Sequence, residues 1–105
     1  MSQATIRLLV NSCARVFPRY KDDQVQAEAA RLYLNAGGYI TACTLETSEV
    51  GKAAAEEMFD LTNNPSRNDE RDTRYGSGGR SVSSGDIITV DGVDYLCCSI
   101  GWLQL

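Results

Sequence analysis

Thr5-Ile6-Arg7-Leu8-Leu9-Val10 alternates loosely between polar and branched apolar residues, which predicts a first strand. Asn11 to Lys21 follows as a connection, because Pro18 and the charges after it disfavour regular structure. The period then changes. Val25, Ala29, Leu32, Tyr33 and Ala36 recur at helical spacing, with Gln24, Glu28 and Arg31 between them. Asp22 and Asp23 stand where carboxylates meet the positive end of a helix dipole, and Gly37-Gly38 supplies a stop that accepts positive φ. Tyr39 to Leu45 reads as a second strand on its β-branched and aromatic content. Thr47 or Ser48 caps a second helix, whose apolar stripe is Val50, Ala54, Met58 and Leu61. Asn63-Asn64-Pro65 ends it, since proline has no N–H to continue the ladder.

Pro65 to Ser84 has almost no apolar content and reads as a long polar loop rich in Arg and Gly. Beyond it, Asp86 to Val90 and Val93 to Ile100 flank Asp91-Gly92, a dipeptide suited to a hairpin turn that needs positive φ twice. Trp102 to Leu105 adds a last short strand after a bend at Gly101. The order β-α-β-α-loop-β-β-β over residues 1–105 predicts one α+β domain. Two helices pack on a small, mainly antiparallel sheet that ends in a C-terminal hairpin.

Composition narrows the chemistry. With no histidine among 105 residues there is no Ser-His-Asp or Cys-His triad and no imidazole-based zinc site. Cys13, Cys43, Cys97 and Cys98 form no Cys-x-x-Cys pair, and neighbours in a strand point to opposite faces. They read as reduced thiols packed as small hydrophobes, so no metal or other cofactor is expected. The longest apolar run near Met1 is Leu8 to Val10, too short for a signal peptide, and no stretch suits a bilayer span. A cytoplasmic protein without membrane contact is the expectation. A net charge of −4 argues against direct nucleic-acid binding.

Charge is unevenly placed. Residues 1–60 hold six basic and eight acidic side chains, 61–80 hold four against three, and the remainder holds three acids alone. Two candidate binding surfaces follow. One is the arginine-bearing loop, with Arg67, Arg71, Arg74 and Arg80, where Arg80 after Gly78-Gly79 could fork a phosphate or carboxylate. The other is an acidic helix face with Glu49, Glu56, Glu57 and Asp60, suited to a basic groove on a partner. Solvated local ion pairs and an ordinary solubilising face describe the same residues. No base other than a carboxylate stands near a nucleophile, and Glu56 and Glu57 face different directions, so no catalytic residues are assigned. A non-enzymatic role is expected.

Phe59-Asp60-Leu61-Thr62-Asn63 resembles an F-x-L-T-N signature. Arg80-Ser81-Val82-Ser83-Ser84-Gly85-Asp86-Ile87-Ile88 follows, then Asp91-Gly92, Tyr95 and Gly101-Trp102. Over roughly residues 50–105 this pattern is similar to uncharacterised families of small accessory proteins of phages, plasmids and other mobile elements, which more often carry valine where Ser84 stands. The signature itself reads as architecture: Phe59 and Leu61 anchor a helix end, Thr62 or Asn63 bonds its last carbonyls, and Trp102 covers the sheet. The resemblance implies a context in which small acidic proteins bind host machinery, anti-CRISPR and antirestriction proteins among them. The leading expectation is a stoichiometric inhibitor of a bacterial defence system, an anti-CRISPR blocking a Cas nuclease or surveillance complex. A phosphate- or nucleotide-binding sponge built on Arg80, and a non-catalytic oligomeric regulator using an apolar patch near Trp102 and Leu105, are the alternatives.

Overall fold

The structure, a computed structural model, describes residues 1–76 and 79–105. Strand β1 (Ser2–Leu9) leads through a one-turn helix α1 (Asn11–Ala14) and a coil to helix α2 (Asp23–Asn35). Strand β2 (Tyr39–Thr47), helix α3 (Gly51–Asn63), a 3-10 turn (Pro65–Arg67) and helix α4 (Asn68–Arg74) follow. Strands β3 (Ile87–Val90), β4 (Val93–Cys97) and β5 (Trp102–Gln104) close the chain. The five strands form one antiparallel sheet in the order β2-β1-β3-β4-β5. This is the expected α+β domain with a C-terminal hairpin.

The pleat sends alternate residues to opposite faces, and each face receives its own helix. Ala4, Ile6, Ile88 and Val90 pack against Ala54, Met58 and Leu61 of α3. Leu9, Ile87 and Leu96 face the other way, against Phe17 of the coil and Ala30 of α2. Adjacent Cys97 and Cys98 divide between these two cores, as the strand period requires, and all four cysteines are free thiols.

The local signals act largely as read. Asp22 Oδ1 accepts from the Val25 N–H at 3.0 Å and starts α2. Gly37, at φ 79°, ends it while the Gly38 N–H donates to the Tyr33 carbonyl at 2.7 Å. Asp91 and Gly92 take φ 48° and 84° between paired Val90 and Val93. Four readings are corrected, the first being that Asn11–Ala14, inside the expected irregular connection, form the one-turn helix α1. The buried face of α2 is Gln26, Ala27 and Ala30, whereas Val25 and Leu32 are exposed, because the helix docks one position round from its aliphatic stripe. Helix α3 begins at Gly51 with no side-chain cap, and Thr47 instead accepts from the Glu49 N–H in a local turn. The first half of the long loop is helical: Asn64 caps the 3-10 turn through the Ser66 N–H, and residues 68–74 continue as α4. Alternating charge rather than apolar residues holds α4 in place. Ser77 and Gly78, part of the predicted anion cradle, lie outside the described residues.

Candidate functional site

The two candidate surfaces of the sequence meet through Arg67, which joins Glu57 and Asp60. Arg67 lies between α3 and α4 and donates to Glu57 Oε1 at 2.6 Å, Asp60 Oδ2 at 2.7 Å and Glu70 Oε2 at 2.9 Å. Arg74 adds a second bond to Glu70 at 2.9 Å and reaches the Glu46 carbonyl of β2 at 2.6 Å. These contacts lower the pKa of the Glu70 carboxyl to about 2, chiefly through the hydrogen bonds from Arg67 and Arg74. Asp60 is also held below its usual range by the Arg67 hydrogen bond, and Arg67 is raised by its bonds to Glu57, Glu70 and Asp60. Glu70 is not among the site residues that the sequence predicts; its place three after Arg67 and four before Arg74 is the spacing that marks it.

The remaining predicted residues separate. Glu49 and Glu56 are exposed and take no ion pair among the described residues. Arg71 turns away from the cluster, onto the Gly79 carbonyl and the Tyr75 ring. Arg80 is committed elsewhere. Its guanidinium clasps Asp86 at 2.7 and 2.8 Å, and Asp86, only 1% exposed, also accepts the Leu9 and Ser83 N–H groups at 2.8 Å each. Arg80 further donates to the Leu9 carbonyl at 3.2 Å. The pair therefore continues the sheet ladder past the end of β3, and the fork expected for an external anion is filled from within.

Both halves of the signature converge on this segment. Thr62 Oγ1 accepts the Val82 N–H at 3.1 Å, Asn63 Nδ2 donates to the Val82 carbonyl at 2.9 Å, and Ser81 Oγ donates to the Thr62 carbonyl at 2.6 Å. The end of α3 thus grips residues 81–82 as a strand would, and Phe59 meets Trp102 edge-on at 6.3 Å between centroids. Two cavities open on either side of the Ser83–Ser84 turn that follows. One, of about 190 Å³, is walled by Asn11, Arg19, Arg80 and Asp86; the other, of about 340 Å³, by Tyr20, Phe59, Cys97 and Cys98. Arg19, Ser83 and Ser84 line both. Burial pushes the Cys97 thiol up to about 12 and Cys98 to about 11, so neither offers a thiolate near neutral pH.

Arg19 stands in no motif of the sequence. The signal that marks it is local charge: no carboxylate precedes Asp22, whereas Arg7, Arg15, Arg19 and Lys21 do. Among the described residues no group of three or more metal-ligating side chains occurs, and no helix is long and apolar enough to cross a membrane. Comparison of the chain with protein-family models, curated proteins and solved structures gives no match.

Proposed function

We propose that this protein acts by one-to-one binding, as a mobile-element accessory protein that inhibits a bacterial defence system of the CRISPR kind inside the host cytoplasm. Its partner is a Cas nuclease or a subunit of a surveillance complex, met on a basic groove that otherwise holds nucleic acid. The observation that carries this reading is the α3–α4 surface. Residues 49–74 hold seven carboxylates against four cations. Arg67 fixes Glu57, Asp60 and Glu70 in place, so the acidic array loses little side-chain entropy on docking. Glu49 and Glu56, outside that network, supply its unneutralised charge.

Tagged protein drawn through a host lysate and read by mass spectrometry should recover a nuclease or Cas subunit near one-to-one. The double variant Glu49→Lys/Glu56→Lys leaves the Arg67 network whole, and should lose capture and inhibition of cleavage while keeping its melting temperature. Inhibition that persists unchanged in this variant would remove the acidic face from the account. Arg80 belongs in no such set, because its loss acts through Asp86 on the fold.

A further inference from the structure

We propose that the paired cavities over the Ser83–Ser84 turn form a site for a small phosphorylated ring compound of the nucleoside monophosphate class. The phosphate lies in the smaller cavity and the ring in the larger one.

The smaller cavity carries the right charge. Asp86 is the single carboxylate in its wall, and Arg80 and two backbone N–H groups occupy both of its oxygens. Arg19 therefore gives the cavity a net positive charge. Its guanidinium spends one donor on the Ala14 carbonyl, at 2.5 Å, and lies 5.8 Å from the Phe17 ring centroid. No ion pair among the described residues uses its remaining donors. A guanidinium fork beside a serine hydroxyl and the Asn11 amide suits a phosphate dianion.

Arg19 is also held in position, which a solvated surface arginine is not. Its backbone carbonyl accepts from Gln26 Nε2 at 3.3 Å and from the Ser99 hydroxyl, and Gln26 Nε2 donates again to the Lys21 carbonyl at 2.8 Å. Gln26 is 2% exposed on the buried face of α2, a costly place for an amide. Its work there is to fasten the coil that presents Arg19 and Tyr20.

The larger cavity has the other chemistry. Phe59, Val82 and the two protonated thiols give it apolar walls, and its volume sits at the low end for small-molecule sites. Tyr20 at its rim is 100% exposed, an aromatic face with nothing yet stacked upon it. Because the cavities share Arg19, Ser83 and Ser84, one ligand spans both, anion to one side and ring to the other.

The test is calorimetric titration at low salt with adenosine and uridine monophosphates, the parent nucleosides and inorganic phosphate. A monophosphate should bind, and the nucleoside and phosphate alone should each bind at least about tenfold more weakly. Arg19→Gln and Ser84→Val should each weaken the monophosphate about tenfold or more, and Arg19→Lys should recover part of the loss. Arg15→Gln, on the same coil but outside both walls, should bind as the parent does. Equal binding of phosphate and monophosphate would discard the ring half. Binding unaffected by both Arg19→Gln and Ser84→Val, or no saturable binding at millimolar ligand, would overturn the site. The outcome is independent of partner capture through Glu49 and Glu56.

Discussion

Asp86 shows how one side chain can stand in for a strand residue. The β3 ladder meets β1 as far as Arg7 opposite Ile87, and the next β1 residue with its N–H inward is Leu9. Gly85 lies across from it at φ 97°, and a Cβ there would come within 3.1 Å of the Leu9 side chain. The backbone turns away at that point, and the Asp86 carboxylate takes the Leu9 N–H in its place. Asp86→Ala should consequently orphan two N–H groups and the Arg80 guanidinium together, costing about 3 kcal/mol or more. Arg80→Ala leaves the carboxylate its two N–H partners and opens onto solvent, so its cost should be smaller. Urea midpoints of the two variants measure the order, and equal losses would mean that the backbone bonds count for little. The sequence marked Ser83, Ser84 and Gly85 as a turn, but Asp86 looked like an ordinary first residue of a strand. A buried carboxylate is visible only once its partner six residues earlier folds back over it.

At the scale of elements, α4 is a seven-residue helix with no buried residue, too short to hold by propensity alone. Its anchors are electrostatic, through Arg67 to α3 and through Arg74 to β2. Glu70 is held in the fold near pH 2, below its ordinary 4.5, so its contribution is present above about pH 5 and is lost as pH falls through the folded value. Wild-type stability should therefore decline from about pH 5 toward pH 2. Arg67→Ala should flatten that acid limb and lower the neutral-pH plateau, while leaving the chain folded. Urea midpoints taken at successive pH values distinguish this from a helix anchored by packing, in which the two curves would run parallel. The pattern that built α4 was open to inspection as Arg67, Glu70 and Arg74 at spacings of three and four. It reads as loop because apolar periodicity, the usual helical signal, is absent where charges face charges. The stripe of α2 failed for a related reason. Periodicity gives the amphipathic direction of a helix within a residue or so, and the rotation found places Gln26 against the Arg19 and Lys21 carbonyls.

For the molecule as a whole, the sheet order could not follow from local signals. The hairpin of β3 and β4 was written in Asp91-Gly92, but the insertion of β1 between β2 and β3 depends on which apolar faces match. Ala4 and Ile6 find Val90 and Ile88, residues more than eighty positions away, and α3 then seals that face with Met58 and Leu61. Closing such a separation must come before any reward from packing, which slows folding relative to a helical bundle of the same size. Trp102, packed against Phe59, supplies a single fluorescent reporter of α3 meeting the last strand. If the β1–β3 register is the committed step, Ile6→Val, worth about 1 kcal/mol, should appear mainly as slower refolding. Leu103→Val on the edge strand should instead speed unfolding and leave the refolding rate unchanged. Stopped-flow chevrons of the two variants separate the limbs, and an Ile6→Val effect confined to unfolding would place the β1–β3 closure after the barrier. The same closure carries the Ser83–Ser84 turn to the end of β1, where Leu9 and Arg80 join. The two cavities form only when residues more than eighty positions apart pair in β1 and β3, and no local segment contains them.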